Sequence, residues 1–317
     1  MKDDFQPISD APVLVIGGSG VDIVGRLKHE LHLGVSNPAL IRTSFGGVAR
    51  NVAENLARLG QYVYLITVVG EDQSGGSLLN QLASTGVDTR AVIQTSEHPT
   101  GSYIGIVDEK GVMQFALDDM RAMNALSPDH VRQNIDLFES AGLLFIDANL
   151  SKQTLRTVVS LARKAGLKVC ADPTSANLAE RLRPYLGKFH LLTPNSNEAA
   201  VLCERSLNGT NPQQALEAAK YLVGKGVDLA LITMAEFGVC YATSETSGYI
   251  PAVRTEILDP TGAGDALTAT VLFAMMNEIP LDDAIRLGVT AASFTLRHRG
   301  TVLPDLSLEK LYDHLLV

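Results

Sequence analysis

Residues 259–265 read Asp259-Pro260-Thr261-Gly262-Ala263-Gly264-Asp265, and an apolar run from Ala266 to Ala274 follows at once. Glycines at the mouth of a helix leave backbone N–H groups free to point at an anion, and the positive end of the helix dipole favours negative charge there. Asp265 adds a carboxylate beside these donors. The segment therefore predicts a site for developing phosphoryl charge, together with a base that can accept a proton.

The position of Asp265 also predicts its ionisation. A carboxylate in the first turn of a helix has its charged form favoured by the dipole, so we expect a low pKa. A weak base is sufficient in phosphoryl transfer, because the loose transition state releases the proton late. Gly-Ala-Gly alone would also suit a strand-to-helix turn that merely needs glycine. The adjacent Asp favours the anion hole.

Composition excludes several classes of protein. The 317 residues are enough for one large α/β domain or two smaller ones. The net charge of −9 argues against a nucleic-acid polymer as partner. Three cysteines without a Cys-x-x-Cys pair predict buried free thiols in a reducing compartment. The segment Met1–Phe5 lacks the character of a signal peptide, and no apolar run approaches the ~20 residues of a membrane span. We therefore expect a cytoplasmic protein that does not enter a membrane.

Apolar runs alternate with helical patterns along the chain, which predicts a parallel sheet covered by helices on both faces. Ligands of such sheets bind beyond the carboxyl ends of the strands. Four polar residues fall at those ends: Asp147, Asp172, Asn195 and Thr233. The predicted strands are 13–16, 62–69, 143–146, 168–171, 191–193 and 229–233, and the predicted helices include 47–59, 154–165, 198–203 and 212–224.

Two regions interrupt this alternation. Residues 24–44 lack a convincing long helix, and residues 100–117 form a hairpin pattern around Glu109-Lys110-Gly111. We expect antiparallel strands outside the main sheet, as a flap that could close over a substrate and exclude water. An edge extension without a role is the alternative.

Asn195 and Glu198 stand three residues apart at the start of a predicted helix. Together they could hold water bound to Mg²⁺ or contact phosphate oxygens. They also match a capping box, which local sequence favours. Both interpretations hold if the cap fixes the rotamers used in binding.

Gly46 and Gly47 open another helix and would let a ligand approach the backbone closely. Asn51 follows in its first turn, where its amide could contact hydroxyls or simply lie at the surface. Asp22 follows a glycine-rich turn and either caps that loop or grips a pair of hydroxyls. A dinucleotide fingerprint would need glycine where Ile23 stands, and no Walker sequence is present. The seven histidines show no metal-ligand spacing.

Taken together and in this order, these segments resemble the ribokinase-like carbohydrate and nucleoside kinases, often called the PfkB family, from Val13 to about Gly300. Residues 259–265 are the most diagnostic part. The resemblance implies a single domain over residues 1–317, with a three-layer, doubly wound α/β fold and a mainly parallel sheet. It also implies a small antiparallel β lid built from about 24–45 and 100–118, which often forms a homodimer interface.

What the resemblance implies is an ATP-dependent kinase that uses Mg²⁺ and acts on a primary alcohol. Asp265 would be the catalytic base, and the amides of Gly262, Ala263 and Gly264 would form the anion hole. The residues that would hold substrate hydroxyls are Asp22, Gly46, Gly47 and Asn51.

The resemblance also implies a nucleotide side of the site. Asn195 would contact phosphate, and Glu198 would hold Mg²⁺ through water. The nucleotide would lie along Thr233 and Gly238, and some members bind a monovalent cation such as K⁺ where Asp259 stands. This chain has Ala235 where the nucleotide loop of the family usually has glycine, and Pro260 where many members have threonine.

Within the family, residues 35–38, 47–60, 118–120 and 147–149 look most like pseudouridine kinases, which phosphorylate the 5′-hydroxyl of that nucleoside. Asn37 and Asn149 could read the carbonyl and N–H groups of uracil. A kinase for ribose, fructose or a keto-deoxy sugar, or for another nucleoside, is the alternative. A binding protein that keeps the fold without catalysis is disfavoured, because a binder needs no base.

Overall fold

The computed structural model describes residues 10–110 and 112–315. The N-terminal segment Met1–Phe5 and Gly111 of the predicted hairpin turn lie outside the described residues. The strands are, in chain order, β1 (Val13–Ile16), β2 (Gly20–Leu27), β3 (Ala39–Gly46), β4 (Val63–Ile66), β5 (Val68–Gly70), β6 (Ile93–Thr95), β7 (Gly101–Val107), β8 (Met113–Asp119), β9 (Leu143–Asp147), β10 (Lys168–Asp172), β11 (Phe189–Leu192), β12 (Leu229–Thr233), β13 (Val239–Ala242) and β14 (Ser247–Ile250).

Helices connect most of these strands, and short 3₁₀ turns lie at 121–125, 183–188 and 235–237. The helices are α1 (Val48–Arg58), α2 (Gln73–Ser84), α3 (Pro128–Gln133), α4 (Ile135–Ser140), α5 (Lys152–Ala165), α6 (Ala176–Ala179), α7 (Ser196–Leu202), α8 (Pro212–Gly224), α9 (Ala263–Met276), α10 (Leu281–Leu296) and α11 (Leu308–Asp313).

An eight-stranded sheet forms the centre, in the order β14-β13-β12-β11-β10-β9-β1-β4. The pairings from β4 to β12 are parallel, and only β13 runs antiparallel to both of its neighbours. The predicted α/β fold with a mainly parallel sheet is confirmed.

Helices cover both faces of this sheet, as the continuous apolar strands predict. Alternate residues of β1 belong to two separate cores, because successive side chains of a strand point to opposite faces. Val13 and Val15 pack with α1, α9 and α10, whereas Leu14 and Ile16 pack with α5 and other helices on the far side. None of the described helices is both long and apolar enough to cross a membrane.

A separate four-stranded sheet, in the order β3-β2-β7-β8, stands where the sequence predicts the lid, and we call it the lid. Its closure over a substrate stays a prediction. The hairpin predicted at 100–117 is β7 and β8, and the strands β2 and β3 extend the predicted segment 24–45 to residues 20–46. Asp22 lies on one face of this sheet, and its neighbour Ile23 lies on the other.

The predicted strand 62–69 is wrong as a single element. The chain divides it into β4, which joins the main sheet, and β5, which pairs with β6 in a two-stranded sheet. An unbroken apolar run cannot indicate where a chain leaves one sheet for another, since both strands are buried.

Candidate active site

The N-terminus of α9 presents free backbone donors. Gly262 is the N-cap residue, and the N–H groups of Ala263 and Gly264 have no acceptor among the described residues. The first N–H groups of a helix have no intrahelical partner, so they are available to an anion. Free donors of this kind are what the predicted anion hole requires, and their role toward phosphate stays a prediction.

The two glycines of this turn differ in what surrounds them. Gly262 has a φ of 81°, and a Cβ there would overlap the carbonyl oxygen of Thr301. Gly264 has nothing within 4 Å of an added Cβ. Gly262 is therefore required by the fold, whereas Gly264 leaves open space over the donors.

Asp265 lies in the first turn of α9, beside these donors, and remains partly exposed. Burial raises the pKa of Asp265 to about 7, with the charges of Asp22 and Asp147 as lesser causes in the same direction. The low pKa expected from the helix dipole is therefore wrong. Desolvation of the carboxylate is the largest cause of the raised pKa.

Asn51 binds the carboxylate of Asp265 directly. Its Nδ2 donates to Asp265 Oδ2 at 2.7 Å, and Arg50 Nη1 donates to its Oδ1 at 2.8 Å. Asn51 lies buried on α1, so it is part of the cleft and not a surface residue.

Asp22 extends from the lid into the same region. It is buried, and burial raises its pKa to about 6, while Arg50 opposes this increase. A Cβ on Gly46 would overlap the Asp22 carboxylate, so the absence of a side chain at Gly46 leaves room for Asp22 in its observed position.

Gly47 begins α1 with a φ of 96°, and a Cβ there would overlap the carbonyl oxygen of Gly18. Gly18 in turn packs against Asn149, whose Nδ2 would lie 2.7 Å from a Cβ added to Gly18. The structure therefore brings Gly47 and Asn149 to the same turn after β1.

The Asp147 carboxylate joins the turn after β1, the start of α1 and the turn after β9 by hydrogen bonds. The sequence alone assigned no specific role to this residue. Its buried carboxylate accepts hydrogen bonds from Gly18 N at 2.8 Å, Ala49 N at 3.1 Å and Asn149 N at 2.9 Å. Burial raises the pKa of Asp147, and these donors oppose it. Its place at the end of β9 was the available signal.

Asn37 lies apart from these residues, in the loop between β2 and β3. Its side chain donates to the carbonyl oxygens of His32 and Val35 and accepts from His32 N, each at 2.8–2.9 Å. The structure does not bring Asn37 together with the cleft, and a contact with a ligand stays a prediction.

The capping box at the start of α7 is present. Asn195 Oδ1 accepts from the N–H groups of Asn197 and Glu198, and Glu198 Oε2 accepts from Asn195 N at 2.8 Å. Glu198 is nevertheless buried beside a second acid, Asp172, which ends β10. Burial raises the pKa of Glu198 to about 8, and the charge of Asp172 adds to this increase. Burial raises the pKa of Asp172 to about 7, and the charges of Asp265 and Asp147 add to it.

These acids form no group of three or more metal ligands among the described residues. Glu198 is buried and Asp172 half-buried, and neither pairs with a Lys or Arg among the described residues, which fits Mg²⁺ that keeps most of its water and phosphate ligands. Asp172 also lies close to Asp265, and the charge of Asp265 raises the pKa of Asp172.

Thr233 and Asn195 are neighbours through a parallel bridge at the strand ends. Thr233 N donates to Pro194 O at 3.0 Å. Gly238 closes the following turn with a φ of 89°, and a Cβ there would overlap the Ile250 carbonyl. Ala235, in the same turn, keeps a φ of 48°, a conformation that favours glycine.

Asp259 lies at the edge of the cleft, where its Oδ1 accepts from Thr261 N at 3.0 Å. A cavity of about 50 Å³ separates this loop from the lid, and Arg26 and Arg42 of the lid line its other side. Asp265 is not among the residues that line this cavity. The three cysteines are buried and free.

Comparisons with known proteins agree with this geometry. Residues 13–307 match the family described as pfkB family carbohydrate kinase. The chain is 31% identical over 297 residues to pseudouridine kinase of Escherichia coli, covering 93% of this chain and 94% of that protein. It is also 31% identical over 283 residues to guanosine-inosine kinase of Exiguobacterium acetylicum, covering 89% and 93%.

Among solved structures, a carbohydrate kinase from Agrobacterium tumefaciens superposes with a TM-score of 0.80 at 27% identity. The match covers 96% of this chain and 97% of that one. The similarity therefore includes the lid as well as the central sheet.

Proposed function

The chain belongs to the pfkB family of carbohydrate kinases and is therefore a small-molecule phosphotransferase; from this premise we propose that it transfers the γ-phosphoryl group of ATP to the 5′-hydroxyl of pseudouridine. The observation that carries the chemistry is Asp265 beside the unpaired N–H groups of Ala263 and Gly264. Similarity to pseudouridine kinase over nearly the whole chain supports the choice of acceptor.

In this proposal Asp265 accepts the proton of the 5′-hydroxyl as its oxygen bonds to phosphorus and the bond from phosphorus to the leaving oxygen of ADP breaks. A pKa of about 7 makes this carboxylate a stronger base than an ordinary aspartate, while half or more of it is ionised at and above pH 7. The free N–H groups at the start of α9 stabilise charge on the transferring group. Asp22 and Asn51 hold the ribose hydroxyls, and Gly46 and Gly47 let the ribose approach the backbone.

Asn195, Thr233 and Gly238 provide the nucleotide side, and Glu198, through water, is the residue proposed for Mg²⁺. Mg²⁺ supplies neutralisation of phosphate charge during transfer. A monovalent cation such as K⁺ at Asp259 stays a proposal, as does a cytoplasmic location.

An acceptor screen tests the substrate. ADP release is measured through a coupled assay with pseudouridine, uridine, guanosine, inosine, adenosine, ribose and fructose at equal concentration, with the Asp265→Asn variant as background. We expect the highest kcat/KM with pseudouridine. Preference for guanosine or inosine would support the second candidate, which the equal identity to guanosine-inosine kinase favours.

Asn149 is the residue proposed to read uracil, because it lies against Gly18 at the cleft. Asn149→Ala is expected to lower the preference for pseudouridine over ribose. Asn37→Ala tests the other predicted contact with uracil, and we expect a smaller change there because its amide already has partners within its own loop. An unchanged preference in Asn149→Ala removes this residue from the pocket.

A homodimer through the lid is also proposed. The lid face opposite Asp22 carries exposed apolar side chains, of which Ile41 is 71% and Leu117 is 61% exposed. Contiguous apolar surface of this kind is typical of an interface. Leu117→Lys should yield a monomer in sedimentation velocity, whereas Tyr62→Lys, an exposed site outside the lid, should leave the dimer intact. A wild-type monomer at micromolar concentration would contradict the proposal.

A further inference from the structure

Arg50 is a buried cation at the start of α1, and only 2% of its surface is exposed. Burying a guanidinium is unfavourable unless it is paired and hydrogen-bonded. Arg50 meets this requirement through both terminal nitrogens, although its Nε has no partner. The acceptors are Phe45 O, Asn51 Oδ1 and Thr301 Oγ1 for Nη1, and Glu54 Oε2 and Gln81 Oε1 for Nη2.

The contact with Asn51 has a chemical consequence. A guanidinium donates hydrogen bonds and cannot accept them. Arg50 therefore forces the carbonyl oxygen of the Asn51 amide toward itself, so the NH₂ group must face Asp265. The observed bonds have this polarity: 2.8 Å from Arg50 Nη1 to Asn51 Oδ1, and 2.7 Å from Asn51 Nδ2 to Asp265 Oδ2.

On the basis of the proposed kinase activity, we propose that Arg50 is a positioning residue that acts through Asn51 to hold Asp265 in its reactive orientation. Asp265 Oδ2 is held by Asn51, and its Oδ1 has no partner among the described residues. That oxygen remains available to the acceptor hydroxyl. A proton acceptor must lie within hydrogen-bond reach of its proton, so fixing one oxygen directs the other.

Arg50 also contacts a residue that packs against the N-terminus of α9. Thr301 Oγ1 accepts from Arg50 at 3.3 Å, and the Thr301 carbonyl packs directly against the Cα of Gly262. One side chain on α1 thus contacts the supports of both the base and the helix N-terminus, although Thr301 is 251 residues away in sequence.

A purely structural role is the competing explanation, because Arg50 also pairs with Glu54 one helical turn later. The chain offers a matched control. Arg58 pairs with the same Glu54 and also donates to Pro304 O, but it contacts neither Asn51 nor Asp265. Loss of Arg58 therefore removes a similar ion pair from the same helix.

The experiment compares Arg50→Gln, Arg50→Lys and Arg58→Gln, using the best acceptor from the screen. Glutamine can present either end of its amide to Asn51, whereas lysine, like arginine, only donates. We expect kcat to fall about 10- to 100-fold in Arg50→Gln with little change in KM for ATP. Arg50→Lys should recover most of this loss, and Arg58→Gln, which removes the more exposed ion pair with the same Glu54, should keep kcat within about twofold.

The pH profile separates positioning from structure. The charged groups around Asp265 are Asp22, Asp147, Asp172 and Arg50. Among these charged groups Arg50 alone favours the ionised base, in addition to the hydrogen bond from Asn51, so its removal should move the acid limb of kcat/KM upward by roughly 0.5–1 pH unit. Arg50→Lys and Arg58→Gln should leave this limb in place.

A double-mutant cycle with Asn51→Ala tests whether Arg50 acts on Asp265 through Asn51. If Arg50 acts through Asn51, Arg50→Gln should lower kcat much less in the Asn51→Ala background. Additive losses, an unmoved acid limb, or equal effects of Arg50→Gln and Arg58→Gln would overturn the inference. Should Arg50→Gln fail to fold, Arg50→Met, which keeps an unbranched stem but donates no hydrogen bond, takes its place in the cycle. Turnover that survives in Asp265→Asn would instead refute the proposed base, so the two failures are distinguishable.

Discussion

Replacing Asp265 by asparagine should remove activity and, at alkaline pH, make the protein more stable. Burial raises the pKa of this carboxyl to about 7 from the 3.8 of a free aspartate. Between these two values the folded protein binds a proton that the unfolded chain releases. Stability therefore falls as the pH rises through this window, and the loss is complete only above pH 7. Asparagine carries no charge and escapes this loss.

The magnitude follows from the size of the pKa shift. A shift of about three pKa units corresponds to about 4 kcal/mol of unfavourable ionisation at pH 8. At pH 5 the same shift contributes about 1.5 kcal/mol, because the folded carboxyl is still protonated. The stability advantage of Asp265→Asn over the wild type should therefore grow by about 2 to 3 kcal/mol between pH 5 and pH 8.

Urea unfolding at both pH values measures this difference. Far-ultraviolet circular dichroism is the suitable signal, because the chain contains no tryptophan. Turnover, followed by coupled ADP release, should fall by about 10²- to 10⁴-fold in the variant while nucleotide binding remains. A stability difference that is equal at the two pH values would mean that the helix dipole keeps the pKa low. Turnover within tenfold of the wild type would refute the assignment of the base.

Four further substitutions, with one control, test the site. Gly262→Ala should lose about 2 to 5 kcal/mol of unfolding free energy through strain and overlap. Gly264→Ala should gain up to about 1 kcal/mol of unfolding free energy but lower kcat. Thermal unfolding and turnover measurements check both variants. Ala235→Gly should gain about 0.5–1 kcal/mol, measured by urea unfolding, because its positive φ suits glycine. Asn195→Ala should lose about 1 kcal/mol of unfolding free energy and raise KM for ATP. Asn211→Ala is the control: it removes the equivalent cap of α8 and should lose as much unfolding free energy with KM for ATP unchanged.

The parts of the site that the sequence predicts are those built from neighbouring residues. The turn at 259–265 and the capping box of Asn195 and Glu198 each lie within one short segment, so residue type and spacing determine their geometry. The lid hairpin at 100–117 is similar, because its two strands adjoin in sequence.

The parts that were missed depend on contacts distant in sequence. Asn51 and Asp265 are 214 residues apart, and the Asp147 carboxylate reaches Gly18 across 129 residues. No periodicity relates such pairs. The prediction of a low pKa for Asp265 was wrong for the same reason. The helix dipole can be inferred from local sequence, whereas desolvation depends on how the whole cleft packs.

Asp22, Asp172, Asp265 and Glu198 all have raised pKa values, and burial is the first cause in each. Each is therefore protonated more readily in the folded cleft than in the unfolded chain, so together they destabilise the ligand-free protein as the pH rises from about 4 to 8. Sites that violate the rules of stability in this way are usually functional. A ligand that brings positive charge to these acids relieves part of that destabilisation, so its stabilising effect should be larger at pH 8 than at pH 5. Ionisation of these acids would therefore cost less free energy when a nucleotide with its cation is bound, and this difference would favour binding.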